Sequence, residues 1–280
     1  MAMRDEIREQ RRSLKGQGPK AYWKYFWEYY RIPTLVGIFA AVCLISIVKE
    51  MLTNKDSELT IEFLNAQYVG ENLSNENVAK QLAADFTEWE GENKDPDAVY
   101  LDMSSTLTPG RNFSLTDNAV ITANLAKIDA GIMDAMIADA DLFQYYVEIG
   151  CIEDLSQVLD ADTLKTFEDR DMVYYIDLTE LEALQEKMQE LDYSMPTENQ
   201  EEAVRKETVG TFVRPDPTDM DQPAPVGIYM TDAAFMQETG IYGDVECIFG
   251  FMGRSENKDR AVKFLEFMAD GFSEESSEQN

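Results

Sequence analysis

Histidine is absent from this chain, cysteine occurs three times, and 24 lysines and arginines stand against 54 aspartates and glutamates. Each shortage excludes something. Without His there is no Ser-His-Asp triad, no Cys-His nucleophile pair and no His-ligated zinc or haem. Three thiols cannot complete a four-thiolate zinc or iron–sulfur site. A formal net charge of −30 works against binding nucleic-acid phosphates. The sequence has neither a G-x-S-x-G elbow nor a Walker A loop, so it indicates no enzyme and calls for no cofactor. What is present is sufficient apolar material for a fold: 44% of the 280 residues are hydrophobic and 11% aromatic, enough for one large domain or two small ones.

The charge is uneven, and the break coincides with an apolar run. Residues 1–31 hold eight basic and four acidic side chains, a balance of +4, which leaves −34 for residues 32–280. Ile32 to Val48 reads IPTLVGIFAAVCLISIV, 17 residues without a charge. At about 1.5 Å per residue it spans roughly 25 Å, close to a hydrocarbon core of ~30 Å. Met51 and Leu52 extend it if Lys49 snorkels, and Pro33 sits in the first turn, where a missing N–H costs little. Tyr22, Trp23, Tyr25, Phe26, Trp27, Tyr29, Tyr30 and Arg31 crowd one flank, as an interfacial belt would. The basic residues on that side place the N-terminus in the cytoplasm. The expected division is a cytoplasmic segment 1–31, a single transmembrane helix 32–52, an extracytoplasmic domain 53–272 and an acidic tail 273–280. Trp23, Trp27, Tyr30 and Arg31 are the expected membrane anchors, with the lipid bilayer as first partner. A cleaved signal peptide fits less well, because Lys49-Glu50-Met51-Leu52 follows the run in place of small residues. Ala40-Ala41-Val42-Cys43 matches a lipidation site only loosely.

The outer part alternates strand and helix periods. Leu59, Ile61 and Phe63 face one way while Glu58, Thr60 and Glu62 face the other, a period of two. Val78, Leu82, Phe86 and Trp89 make a helical stripe from Asn75 onward. Val99, Leu101 and Met103 alternate again; Ile121, Leu125 and Ile128 mark a helix ending near Gly131; Ile132 to Ile137 reads as a buried strand. Leu142 to Ile149 predicts a helix closed by Gly150, Val173 to Ile176 a strand, and Leu181, Leu184, Met188 and Leu191 a helix. Residues 194–225 hold five prolines and read mostly as loop. Val226, Ile228 and Met230, then Val245, Cys247, Phe249 and Phe251, alternate as strands, and Ala261, Phe264, Leu265 and Met268 close with a helix. Strands separated by helices of 10–15 residues imply an α/β fold with a parallel or mixed sheet.

Leu125 to Leu159 resembles extracellular solute-binding proteins of the type II periplasmic-binding fold. The matching residues are Ala130-Gly131, the strand-opening Asp134, the aromatic Phe143 and Gly150-Cys151-Ile152-Glu153-Asp154-Leu155-Ser156. Val245 to Met268 is similar to that family's closing strand and helix, through Ala261, Phe264, Leu265 and Phe267. Met133 stands where the family usually has Pro, and the 228 residues from 53 to 280 leave room for one lobe rather than two. The resemblance implies a reduced, membrane-tethered binding module that captures a small solute or peptide beside an ABC-transporter permease. The alternative is a domain of the same fold that has lost its ligand and contacts another envelope protein.

In α/β sheets ligands sit beyond the C-terminal strand ends. That nominates Asn65, Gln67 and Tyr68 after the first strand, Ser104 and Ser105 after the second, and Asp139 and Asp141 after the third. Ordinary loop polarity is the competing reading. Two aspartate groups, 160/162/169/171 and 216/219/221, lack the spacing of a calcium loop and read as solvated acidic faces. Cys151 and Cys247 either pair outside the membrane or pack singly in apolar surroundings. The sequons at Asn72 and Asn112 carry no weight if the source is bacterial, as the resemblance implies.

Overall fold

A computed structural model describes residue 27 and residues 57–67, 74–91, 94–108, 113–189 and 212–271. The chain divides into two units, Met1–Lys55 and Asp56–Asn280. Of the first, Trp27 alone is described: a helical residue, 55% exposed. The apolar run 32–52, the acidic tail 273–280 and the anchors Trp23, Tyr30 and Arg31 lie outside the described residues. Among the described residues no helix is long and apolar enough to cross a membrane.

The second unit is α/β, as its alternating periods predicted. Six strands form one mixed sheet: β1 (Leu59–Phe63), β2 (Val99–Asp102), β3 (Ala135–Asp139), β4 (Val173–Asp177), β5 (Pro223–Tyr229) and β6 (Cys247–Phe251), in the order β2-β1-β3-β6-β5-β4. The first three are parallel; β6 runs antiparallel to β3, β5 to β6, and β4 to β5. Seven helices are described: α1 (Asn75–Glu90), α2 (Leu115–Asp129), α3 (Ala140–Glu148), α4 (Ala161–Asp169), α5 (Leu178–Gln189), α6 (Ala234–Thr239) and α7 (Lys258–Glu266). A π-helical turn, Phe267–Gly271, continues α7.

Two apolar clusters flank the sheet. On one face Leu59, Ile61, Phe63, Ile137 and Phe249 meet Leu82 and Phe86 of α1 and Phe264 of α7. Phe86 packs edge-on to Phe264 at 5.1 Å. On the other face Met136, Ala138 and Ile248 meet Ile121 and Ile128 of α2 and Phe143 of α3. Phe143 fits only because glycines lie beneath it. A Cβ on Gly227 would come within 2.5 Å of Ile248 and 2.9 Å of Phe143, and one on Gly250 within 2.5 Å of Phe143. Neighbouring strands β5 and β6 thus each omit a side chain to seat one ring.

The helix starts follow their caps. Ser74 caps α1 and Asp160 caps α4, while Ser114 and Asp117 form a reciprocal capping box on α2. Three donors, the Ser114 N–H and the Thr108 hydroxyl and N–H, hold the Asp117 carboxyl down at about 2.

Several expectations change. Thr60 and Glu62, assigned to the polar face of the first strand, are both buried, because helices cover both sheet faces. The third strand starts at Ala135 rather than Ile132, which is 54% exposed. Val245 precedes β6 and is exposed. The aspartates at 160 and 162 begin a helix, α4, that their polarity concealed. Pro223 and Pro225 belong to β5 rather than to a loop. They pair with β4, whereas β6 pairs only with Ile228 and Tyr229, so the prolines occupy the half of β5 with a neighbour on one side. Cys151 and Cys247 are both free thiols. Cys247 belongs to one apolar cluster and Cys151 packs against the other, so the sheet separates them.

Candidate functional site

The chain reverses its direction of travel across the sheet between β2 and β3, so β1 is flanked by both, and the C-terminal ends of β1 and β3 form a switch point. Polar side chains converge there. Glu62, at the end of β1, is completely buried. Its Oε2 accepts from Lys127 Nζ of α2 at 2.8 Å, and its Oε1 accepts from the Ser105 hydroxyl. Lys127 also reaches Asp102 Oδ2 at 3.4 Å, and Asp102 Oδ1 accepts from the Ser104 hydroxyl at 2.6 Å and its N–H at 2.9 Å. Asn65, in left-handed backbone at φ 60°, ties three segments together. Its N–H donates to Ser105 O at 3.0 Å, its Oδ1 accepts from Leu107 N at 2.6 Å, and its Nδ2 donates to Asp139 Oδ2 at 2.9 Å. Asp139 in turn caps α3 through Leu142 N at 3.1 Å.

The charges respond to their surroundings. Burial pushes the Glu62 carboxyl up, and the Lys127 and Ser105 hydrogen bonds offset this only in part. Burial would also lower Lys127, but its hydrogen bond and charge contact with Glu62 outweigh that and raise it. The two directions agree with the geometry, since Glu62 is fully enclosed and the Lys127 side chain is 31% exposed. Partial burial raises Asp102 as well, but Ser104 and Lys127 more than reverse it, so its carboxyl sits below the usual range. Asp139 is raised, chiefly by burial. Two carboxylates therefore share one ammonium, Glu62 from beneath it and Asp102 from nearer the surface.

Of the residues nominated from sequence, Asn65, Ser105 and Asp139 come together in this network and Ser104 joins it through Asp102. Gln67 does not join through its side chain, which is exposed; its backbone N–H donates to Ile241 O at 2.7 Å. Asp141 sits half-buried in the first turn of α3, and Tyr68 lies outside the described residues. The central trio of Glu62, Asp102 and Lys127 was not nominated. A signal existed: parallel strands joined by helices on both faces bury both sides of β1, so a Glu on its polar side needs a cation. Among the described residues no group of three or more acidic or thiol side chains is placed to hold a metal ion. Asp160 and Asp216 instead cap backbone N–H groups.

A separate cleft of about 700 Å³ lies at the far side of the sheet, between α3, edge strand β4, α5 and the single turn Pro217–Asp219. Val147, Ile176, Leu184 and Met220 contribute its apolar surface, and Glu148, Asp177, Glu180, Asp216 and Asp219 line it together with Lys187.

The structure thus defines a single-sheet α/β domain whose strand-end polar residues bond to one another. Compared with models of known protein families, with curated proteins and with solved structures, the chain matches none.

Proposed function

We propose that this chain is a membrane-tethered, non-catalytic interaction domain of the cell envelope, built on a single lobe similar to that of solute-binding proteins. One observation carries the choice over solute capture. The side chains that would greet a solute at the switch point already engage each other: Asn65 with Leu107 and Asp139, Ser105 with Glu62, Ser104 with Asp102. A solute there would have to break the part-buried bonds of Asn65 and Glu62 before making its own, at about 1–3 kcal/mol for each polar group left unsatisfied. The tether rests on the uncharged run Ile32–Val48, the aromatic and basic flank before it, and the shift from +4 to −34 across it.

Thermal unfolding of the full-length chain tests this against a panel of neutral sugars, amino acids and short neutral peptides. A solute at 100 times its Kd would add about 2.7 kcal/mol to stability. The interaction reading expects an unchanged midpoint across the panel, together with a discrete partner on crosslinking in intact membranes. A reproducible upward shift with one solute, lost in Asn65→Ala, would restore the solute-capture reading.

A further inference from the structure

We infer that the cleft between α3, β4 and α5 is the docking site for an extended basic segment of a partner protein, one that alternates lysine or arginine with apolar side chains. The proposal rests on the interaction reading above and names its surface. Four consecutive β4 residues, Tyr174 to Asp177, line the cleft. Successive strand residues point to opposite faces, so a cavity touching all four runs along the strand's edge. β4 is the last strand of the sheet, with β5 on its other side. A peptide laid along such an edge offers side chains alternately to floor and rim.

The chemistry of the cleft matches that alternation. The floor, from Val147, Ile176, Leu184 and Met220, takes apolar side chains. Exposed Glu180, Asp216 and Asp219, with half-buried Glu148 and Asp177, set five carboxylates against the single ammonium of Lys187. Two of the carboxylates are held by hydrogen bonds. Asp177 Oδ2 accepts from Asp221 N at 2.7 Å and its Oδ1 from Thr179 N at 2.9 Å, while Asp216 Oδ1 accepts from Thr218 N at 2.8 Å. Partial burial opposes charge on Asp177, but those N–H donors outweigh it and hold its carboxyl below the usual range. Gln185 Nε2 donates to Glu148 O at 3.0 Å and so clips α5 onto α3. That part of the wall is therefore set before any partner arrives, which lowers the ordering cost of docking. A volume of about 700 Å³ exceeds what one small cation fills and suits several side chains of a longer segment.

The test uses the full-length chain in nanodiscs of zwitterionic lipid and a fluorescein-labelled 11-residue peptide of alternating Lys and Leu, read by anisotropy. A Glu/Leu peptide of the same length is the charge control. The proposal expects saturable, salt-sensitive binding of the basic peptide alone. Glu180→Lys with Asp219→Lys, two exposed rim residues, should weaken it about tenfold. Glu238→Lys with Asp259→Lys makes the same change in net charge on α6 and α7, away from the cleft, and should leave affinity unchanged. Equal unfolding midpoints for both double variants establish that folding is intact.

Absence of binding overturns the proposal, as does equal weakening by the two double variants, which would mean attraction to the acidic domain as a whole. Displacement by spermidine near the peptide's own Kd would make the cleft a small-cation site and overturn it too. Self-association of the chain that the Glu180→Lys/Asp219→Lys pair abolishes would identify a second copy as the occupant instead. The interaction reading falls separately, through the neutral-solute panel, so the two failures are distinguishable.

Discussion

Replacing Lys127 by Met leaves the fully buried Glu62 without its cation, 4 Å or less from neither ammonium nor guanidinium among its described partners and still facing Asp102. Removing one member of a buried pair costs about 3–5 kcal/mol where the remaining charge cannot escape. Here it can escape by taking up a proton, which sets a ceiling. Protonating a carboxyl of ordinary value 4.5 at pH 7 costs about 1.4 kcal/mol per pH unit, or about 3.4 kcal/mol in all. We therefore expect Lys127→Met to destabilise the domain by about 3 kcal/mol at pH 7, a fall in midpoint of roughly 6–12 °C for a domain of this size. The sign follows from the raised folded-state value of Glu62. A carboxyl raised on folding favours the folded state below its ordinary value and loses that contribution as pH rises through the folded value. Lys127→Met raises the folded value further, so the gap between variant and parent opens above pH 4.5 and closes below it. Urea unfolding from pH 4 to 8 measures this directly. Glu62→Gln in the Lys127→Met background should recover most of the loss at neutral pH. A penalty that stays constant with pH, or a double variant no better than the single, would refute the charge argument and leave only lost packing of the lysine stem.

Three further outcomes follow from packing and caps. Gly250→Ala should cost about 1–3 kcal/mol by thermal unfolding, because its Cβ meets the Phe143 ring; Phe143→Leu in that background should cost less than the two changes added separately. Asp117→Ala removes the acceptor that Ser114 and Thr108 share and should cost about 0.5–2 kcal/mol, and an unchanged midpoint would show that water replaces it. In a Cys43→Ser variant, a thiol reagent should label Cys151 in the native state and Cys247 only on unfolding. Burial pushes the Cys247 thiol up to about 12 and encloses it fully, whereas Cys151 is half-buried. Recovery of a Cys151–Cys247 disulfide would contradict the placement of the two thiols on opposite faces of the sheet.

Periodicity made much of the fold legible. The stripe Val78-Leu82-Phe86 and the alternation of Leu59, Ile61 and Phe63 mark α1 and β1 because each element buries these residues on the same face. Polarity misled where burial has a second source. Thr60 and Glu62 look solvent-facing in a strand taken alone, but α2 and α3 cover that side. The α4 helix was hidden because only Phe167 of its nine residues is buried, which leaves too faint a stripe. Proline in β5 argued for a loop, and it is tolerated only because β4 alone pairs with that half of the strand.

The linear order of residues alone determined the uncharged run at 32–48, the charge asymmetry across it, the exclusion of histidine chemistry and the α/β class, since each depends on composition or local spacing. Tertiary structure decided the roles of individual polar residues. Asn65 and Asp139 are 74 positions apart, and Glu62 and Lys127 are 65 apart. No local pattern reports whether such groups face a ligand or each other. Only the crossovers that place β1 between β2 and β3 bring them within hydrogen-bonding distance, and that closure turns a nominated ligand seat into an internal tie.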